Sequence, residues 1–200
     1  MKKRYLILVV ILILGLGAYF FISWPKNEDN NMKKVNEKAA VNPRATVETN
    51  MGNITIELYP NDVPKTAANF IGLAKKGYYN GVIFHRVVSG FVIQGGDPTG
   101  TGRGGDSIYG GEFEDELNPN TESYQRGYLR GAAAMANRGP DTNSSQFFIM
   151  LEDKSLPKLY TIFGKVIEGD DVVQNIGQAR TDANDKPLEP VIINKVTIQE

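Results

Sequence analysis

The sequence has no cysteine and only one histidine, His85, among its 200 residues. Disulfide bonds and thiolate metal sites are therefore excluded, and a histidine-based zinc site is not expected because it needs several such ligands. We expect neither a metal nor any other cofactor. A helical bundle is disfavoured, because 21 Gly and 10 Pro favour short strands and turns.

Basic residues are too few beyond residue 44 to form a basic face. Residues 45–200 contain 14 Lys and Arg against 20 Asp and Glu, which gives a net charge of −6. Domains that bind nucleic acid normally carry a clustered basic surface, because their affinity comes largely from phosphate contacts. We therefore expect no nucleic-acid partner.

One long uncharged stretch, Tyr5 to Trp24, follows three basic residues at positions 2–4. Twenty helical residues span roughly 30 Å, the thickness of the hydrocarbon layer. We predict that residues 1–24 are an N-terminal transmembrane helix that contacts the membrane through residues 5–24. The basic residues should stay in the cytoplasm, which places the rest of the chain outside. A cleaved signal peptide is the alternative, and the protein would then be secreted.

The remaining chain divides into a linker and one domain. Residues 25–44 are rich in Asn, Lys and Glu, a composition typical of a flexible linker. Residues 45–200 form the predicted domain. Its apolar and polar residues alternate over residues 45–49 and 54–59, and the turn residues between these stretches predict a β-hairpin.

Two helices are predicted in this domain, one from Pro64 to Gly77 and one from Asp170 to Gly177, with Asp62 and Asp170 as candidate caps. The other apolar segments are short and separated by glycine-rich loops. About eight strands and two helices favour a mostly β fold, a closed antiparallel β-barrel whose ends the helices cover.

Two patterns have weaker functional interpretations. The segment Gly100–Gly105 matches the G-x-G-x-x-G motif of nucleotide-binding proteins, but no helix follows it. We predict a flexible surface loop there and keep nucleotide binding as a less favoured hypothesis. The acidic residues between Glu112 and Glu116 are predicted to form a solvated loop, with cation binding as the alternative.

Aromatic and polar residues are interleaved in two predicted strand regions. Alternation in the first places Phe84 and Arg86 on one face and His85 on the other, and in the second it places Gln146 and Phe148 on a shared face. An apolar wall with one permanent cation and amide groups indicates a surface pocket. A barrel core that contains these polar residues is the alternative, weakened because a buried Arg needs a partner.

Several motifs together resemble the cyclophilin family of peptidyl-prolyl cis-trans isomerases over residues 45–200. They occur in family order and at family spacing, and they are Phe84-His85-Arg86-Val87, Gly90-Phe91, Gln94-Gly95-Gly96-Asp97, Ser107-Ile108-Tyr109-Gly110, Phe113-Glu114-Asp115-Glu116, Met135-Ala136-Asn137, Gly139-Pro140, Thr142-Asn143 and Ser145-Gln146-Phe147-Phe148-Ile149. The resemblance implies a closed eight-stranded antiparallel barrel capped by two helices.

The resemblance also implies a role for each site residue. Arg86 is expected to be catalytic, and Gln94 to orient it and contact the substrate. The proline pocket is expected to be lined by Phe91, Val92, Phe148, Leu156 and Tyr160, with Phe84 supporting it. Asn137 is expected to hold the substrate through its main chain, Ala136 and Gln146 to border the neighbouring subsite, and His85 to lie beside the pocket without acting as a base. The implied partners are proline-containing polypeptides, and the chain is expected to be a monomer.

Some positions depart from the family pattern. Arg138 stands where most members have a small residue, and Tyr160 where many have histidine. Ser155 stands where a tryptophan often occurs, and since cyclosporin affinity depends on that tryptophan in the family, we expect weakened cyclosporin binding. The sequence thus predicts a membrane-tethered prolyl isomerase that assists protein folding outside the cytoplasmic membrane. The alternative is a cyclophilin-fold binding module or holdase chaperone with incidental catalysis.

Overall fold

The computed structural model describes residues 41–200. The predicted membrane anchor, residues 1–24, and the predicted linker up to residue 40 lie outside the described residues. The described part contains eight strands and three helices. In chain order these are β1 Arg44–Thr49, β2 Gly52–Leu58, α1 Pro64–Lys75, β3 Arg86–Val88, β4 Val92–Gly95, α2 Glu122–Arg126, β5 Ala132–Met135, β6 Phe147–Met150, β7 Ile162–Glu168, α3 Asp170–Gly177 and β8 Ile193–Gln199.

All eight strands belong to one antiparallel sheet, in the order β3-β4-β6-β5-β7-β2-β1-β8. The predicted hairpin is confirmed, since β1 and β2 pair from Arg44 with Glu57 to Thr49 with Gly52. Of the predicted closed barrel, the eight antiparallel strands are confirmed. Between the two ends of the sheet, however, the described residues form one isolated bridge, Ile83 with Ile192, rather than a continuous ladder.

Alternation along the strands builds two apolar clusters, one on each face of the sheet. Ile93 of β4 and Phe147 of β6 point into the interior cluster. Their neighbours Val92 and Phe148 belong to the second cluster, on the outer face. Because successive residues of a strand point to opposite faces, the same two strands build both the core and a second apolar surface.

Large aromatic rings fill the interior cluster. Phe70 of α1 lies edge-on to Phe147 at a centroid distance of 5.5 Å, and its ring centroid is 5.0 Å from that of Phe163. Phe84 is fully buried and lies 6.1 Å from Phe147, again edge to face. Such contacts bury large apolar areas and fix ring orientations, so α1 and the sheet are joined by a rigid interior.

The helix α1 begins with Pro64 at its first turn, as predicted, but its cap comes from a distant residue. The carboxylate of Glu116 accepts hydrogen bonds from the backbone N–H groups of Lys65 and Thr66. Asp62, the predicted cap, instead accepts a hydrogen bond from the N–H of Ser123 in α2. The predicted role of Asp62 at α1 is therefore wrong, because each carboxylate satisfies the N-terminus of a helix far away in sequence.

The predicted cap of α3 is also wrong, because Asp170 forms an ion pair with Arg130 and α3 has no side-chain cap. The acidic segment is solvated as predicted, since Glu112 and Glu114 are exposed, and it carries surface ion pairs of Glu114 with Lys65 and of Glu112 with Arg138. A third helix, the short α2, accompanies the two predicted ones. None of the helices in residues 41–200 has the length and apolar composition that a membrane span requires.

The glycine-rich segment after β4 is folded around the buried carboxylate of Asp97. This carboxylate accepts hydrogen bonds from the backbone N–H groups of Thr99, Thr101, Gly102 and Gly104. Burial raises the pKa of Asp97, but the hydrogen bonds of Thr99, Gly104 and Gly102 outweigh this effect and lower the pKa to about 2. The N–H groups that a phosphate would need are therefore already bound, which accounts for the G-x-G-x-x-G match without a nucleotide.

The pH dependence of stability follows from this carboxylate. Its pKa falls from 3.8 to about 2 in the folded protein, so its ionised form stabilises the fold above pH ~4, and this contribution is lost as the pH falls towards ~2. The contribution is about 2 kcal/mol. Urea denaturation should show that Asp97→Asn lowers the free energy of unfolding at pH 7 and flattens its decline between pH ~4 and ~2.

The exposed Glu189, with a side chain 92% accessible, provides the matched control for this prediction. Glu189→Gln should leave both the stability and its pH dependence close to those of the wild type. Equal acid sensitivity in the wild type and Asp97→Asn would show that other groups control unfolding in acid.

Candidate active site

An open cavity of about 350 Å³ lies on the outer face of the sheet, over the second apolar cluster. Strands β3 and β4 provide one side, β6 the floor, and the segment 156–160 the opposite wall. The lining residues are Arg86, Phe91, Val92, Gln94, Ala136, Asn137, Phe148, Leu156, Pro157, Leu159 and Tyr160. The cavity is thus an apolar pocket with one guanidinium and two amide side chains.

Nine of the twelve site residues named from the sequence line this pocket. The other three do not, namely Phe84, His85 and Gln146. Phe84 belongs to the interior cluster, so the predicted shared face of Phe84 and Arg86 is wrong. The reason is that Phe84 precedes β3 in an irregular segment, where strict alternation does not apply.

The wall at 156–160 contains two residues that sequence reasoning missed, Pro157 and Leu159. Buried Tyr128 holds this wall, because its hydroxyl donates to the carbonyl of Tyr160 and accepts from the N–H of the same residue. The ring of Tyr160 stands edge-on to Phe148 at 5.5 Å. A short apolar run in an otherwise polar loop was the available signal for the missed residues.

The guanidinium of Arg86 is held from two sides. Its Nη1 donates to Oε1 of Gln94 at 3.3 Å, across the β3–β4 pair in which the two residues are directly opposed. Its Nε lies 3.7 Å from a carboxylate oxygen of Asp185. The planar fork of a guanidinium is well suited to this arrangement, because separate nitrogen atoms can serve separate partners.

Gln94 is oriented in turn by a further amide. Its Nε2 donates to Oε1 of Gln146 at 3.0 Å. The Nε2 of Gln146 donates to the carbonyls of Gly102 and Gly104, at 3.1 and 2.7 Å. Gln146 therefore does not line the pocket but connects Arg86, through Gln94, to the loop that surrounds Asp97.

Asp185 reaches Arg86 from a tight turn near the C-terminus. Its φ of 62° lies in the left-handed region, which a non-glycine residue adopts at a cost of about 1 kcal/mol or more. Its carbonyl accepts a hydrogen bond from the N–H of Val87 in β3. The backbone of this turn is thereby attached to the strand that carries Arg86. No pattern in the sequence indicated this contact, because 99 positions separate the two residues.

Asn137 uses its side chain within the protein. Its Nδ2 donates to the carbonyl of Leu159 and to Asp115, at 2.8 and 3.3 Å. Its backbone N–H and carbonyl have no hydrogen-bond partner among residues 41–200. These backbone groups border the pocket and are available to an extended peptide.

Two departures from the family pattern lie at or near the pocket rim. Arg138 pairs with Glu112 and does not line the pocket. Ser155 is exposed and also lies outside the pocket lining. The expectation of weakened cyclosporin binding stays a prediction.

Comparison with protein-family models identifies residues 44–198 as a match to the family described as cyclophilin type peptidyl-prolyl cis-trans isomerase/CLD. The chain is 54% identical over 150 residues to peptidyl-prolyl cis-trans isomerase ppi1 of Schizosaccharomyces pombe, which covers 74% of this chain and 94% of that protein. It is 51% identical over 154 residues to the human peptidyl-prolyl cis-trans isomerase-like 1, covering 76% and 90% of the two chains.

The fold is also similar to solved structures. A crystal structure of a Cryptosporidium parvum cyclophilin type peptidyl-prolyl cis-trans isomerase matches with a TM-score of 0.71 and 41% identity, over 80% of this chain and 98% of that one. A second structure of that protein, in the presence of the dipeptide Ala-Pro, has the same TM-score and identity and covers 78% and 99%.

Fold, site and sequence thus define a protein with an apolar surface pocket bordered by an arginine. The chain belongs to the cyclophilin-type peptidyl-prolyl cis-trans isomerase family. Its enzyme class is that of the peptidyl-prolyl cis-trans isomerases.

The contact between Asp185 and Arg86 leads to a prediction about catalysis. The ion pair is partly exposed, with side chains 48% and 40% accessible, and such pairs are worth about 0.2–1 kcal/mol. We expect Asp185→Gly and Asp185→Asn each to lower kcat/KM about two- to five-fold, measured by peptide isomerisation, because both remove the carboxylate.

The two variants at this position separate charge from backbone strain. Glycine relieves the left-handed conformation but increases the entropy of the unfolded chain, so stability should change by less than about 1 kcal/mol. Asparagine tolerates the same conformation. A loss of activity in Asp185→Gly alone would show that the turn backbone, and not the carboxylate, positions Arg86.

Proposed function

We propose that Arg86 catalyses rotation about X-Pro peptide bonds whose proline ring occupies the pocket, and that the domain does so outside the cytoplasmic membrane. The observation that carries the catalytic part is the guanidinium at the edge of the apolar pocket, held by Gln94 and Asp185. Folding assistance to exported polypeptides is the cellular role proposed with it.

The reaction sets modest chemical demands. Amide resonance gives the peptide bond a rotation barrier of about 18–20 kcal/mol, and uncatalysed X-Pro exchange takes tens to hundreds of seconds. No covalent bond is broken. The reaction therefore needs a group that stabilises the twisted amide more than the planar one, and it needs no nucleophile and no general base.

A guanidinium fulfils this demand through electrostatics. As the amide twists, its conjugation is lost and the prolyl nitrogen becomes more basic. An N–H of Arg86 donates to this nitrogen more strongly in the twisted state than in the planar state, which lowers the barrier. The low dielectric of the apolar wall strengthens the interaction. Preorganisation by Gln94 and Asp185 means that little reorientation is required.

The pocket holds the ring while the acyl side rotates. Phe91, Phe148 and Tyr160 provide apolar and aromatic contacts for a pyrrolidine ring. We expect the backbone groups of Asn137, which have no partner among residues 41–200, to bind the extended peptide next to the ring. The Cryptosporidium relative whose structure was determined in the presence of Ala-Pro supports a proline-containing ligand for this kind of fold.

His85 has no catalytic part in this mechanism. It is buried, it does not line the proline pocket, and burial lowers its pKa. His85 therefore lies outside the pocket and favours its neutral form. Because the reaction transfers no proton, it does not need an acid or a base at this position.

Substitution of Arg86 tests the catalytic proposal. We expect Arg86→Ala to lower kcat/KM for X-Pro isomerisation by 10²–10³-fold, about 2.7–4 kcal/mol, as found when one transition-state donor is removed. Arg86→Lys should recover little of this loss, since an ammonium lacks the planar fork. NMR exchange spectroscopy on a proline peptide measures the rates directly. Full activity in Arg86→Ala would exclude the proposed role.

The same variant addresses the binding-module alternative. If the domain acts mainly as a holdase, Arg86→Ala should still suppress the aggregation of an unfolded client as well as the wild type does. If isomerisation is the function, the variant should fail to accelerate refolding of a client limited by proline isomerisation. Thermal unfolding of both proteins checks that the substitution leaves the fold intact.

The location rests on the basic and apolar pattern of residues 1–24. We expect the full chain, expressed in a bacterial host, to remain in the membrane fraction after alkaline extraction, because about 20 apolar residues span the bilayer. Protease added outside the cytoplasmic membrane should remove the domain. A chain that begins after residue 24 should not enter the membrane fraction. Release of a shortened chain into the medium would instead identify a cleaved signal peptide.

A further inference from the structure

A second cavity, of about 490 Å³, adjoins the proline pocket. We call it the side groove. Residues 100–103 of the glycine-rich loop form one wall, and residues from the turn at 182–186 form the other. Arg86 and Gln94 border both cavities. A peptide bound in the proline pocket therefore has a continuous route past the guanidinium into the side groove.

His85 lines the side groove with unused hydrogen-bonding capacity. Its side chain is buried, with 7% of the residue accessible, and neither ring nitrogen has a hydrogen-bond partner among residues 41–200. Buried polar atoms without partners are uncommon, because removing them from water without a replacement hydrogen bond is costly. An imidazole at the base of an open groove can recover this cost when a bound peptide supplies a carbonyl or an N–H.

The charged side chains of the side groove are unevenly paired. Arg103 and Lys186 border it, and no carboxylate lies within 4.0 Å of either cation among the described residues. The carboxylates nearby are engaged within the protein. Asp182 accepts the N–H groups of Asn184 and Lys186, and Asp185 faces Arg86. The groove therefore contains two cations that form no ion pair within the described residues, beside the carboxylate of Asp182, whose Oδ1 already accepts two backbone hydrogen bonds.

We propose that the side groove is a second substrate subsite, which binds the peptide segment adjoining the proline and prefers an acidic side chain in that segment. His85 hydrogen-bonds the peptide backbone, and Arg103 and Lys186 attract the carboxylate. The inference rests on the proposed function, because the peptide that enters the groove is the one whose proline occupies the pocket. It names a class of substrate, polypeptides with an acidic residue close to the isomerised proline.

This arrangement makes the preference depend on which side of the proline the acidic residue lies. Arg86 separates the two cavities, so only residues on one side of the proline reach the side groove. Exposed charges contribute about 0.2–1 kcal/mol each, which corresponds to an effect of up to about five-fold per cation in kcat/KM. Two cations acting together then give a preference of up to about 25-fold for an acidic over a basic side chain.

The test is a peptide series in which Glu or Lys is placed at each of the three positions before and after proline. NMR exchange spectroscopy gives kcat/KM for each peptide, and the quantity compared is the ratio of the Glu to the Lys peptide at each position. With the wild-type chain the ratio should reach about five or more at positions on one side of the proline only. In the double variant Arg103→Glu, Lys186→Glu it should fall below one.

The exposed Lys76, after the end of α1, lines neither cavity and provides the control for a change in net charge. Lys76→Glu should keep the wild-type ratio at every position. A ratio near one at all positions, or the same ratio in the double variant as in the wild type, would overturn the subsite. Absence of isomerisation with every peptide would instead overturn the proposed function itself, and the subsite with it.

A third arm addresses His85 without relying on charge. His85→Leu should raise KM more for peptides that extend into the side groove than for a short Ala-Pro peptide, whereas His85→Gln, which keeps a donor, should restore part of the loss. Thermal unfolding identifies a variant that fails to fold. Equal KM increases for short and extended peptides would show that His85 acts on the proline pocket and not in the groove.

Discussion

The buried carboxylate of Asp97 fixes the active site from a distance. This carboxylate accepts hydrogen bonds from four backbone N–H groups and so holds the glycine-rich loop in its conformation. That loop presents two carbonyls to Gln146, which orients Gln94, which in turn contacts Arg86. The guanidinium therefore depends on an unbroken series of hydrogen bonds that begins at a charge in the interior, and an orientation fixed in this way needs no reorganisation during the reaction.

The sheet provides the rigid surface on which this network lies. Its inner face packs against aromatic side chains from α1 and the strands, while its outer face carries the apolar cluster under the proline pocket. Neighbouring residues such as Phe147 and Phe148 serve the two faces separately. A single strand thus couples the stability of the core to the shape of the site, because a shift of its backbone moves residues on both faces.

The differences between expectation and structure concern residues whose partners are far away in the sequence. Asp62 precedes a helix and has the right side chain to cap it, yet Glu116 occupies that role and Asp62 serves α2. Phe84 and Arg86 have the spacing of a shared face, but the chain is irregular before β3. Local pattern identifies which groups need a partner, whereas the partner itself depends on how distant segments approach one another.

The sequence by itself determined the number of strands, two of the three helices, the family and most of the residues around the pocket, because alternation and short motifs are local properties. Only the tertiary structure decided where the guanidinium of Arg86 is held. Asp185 comes from a turn 99 positions along the chain. The side groove is likewise formed by segments 80 residues apart, the loop at 102 and the turn at 182. Contacts of this kind depend on the packing of the whole sheet, which no short stretch of sequence encodes.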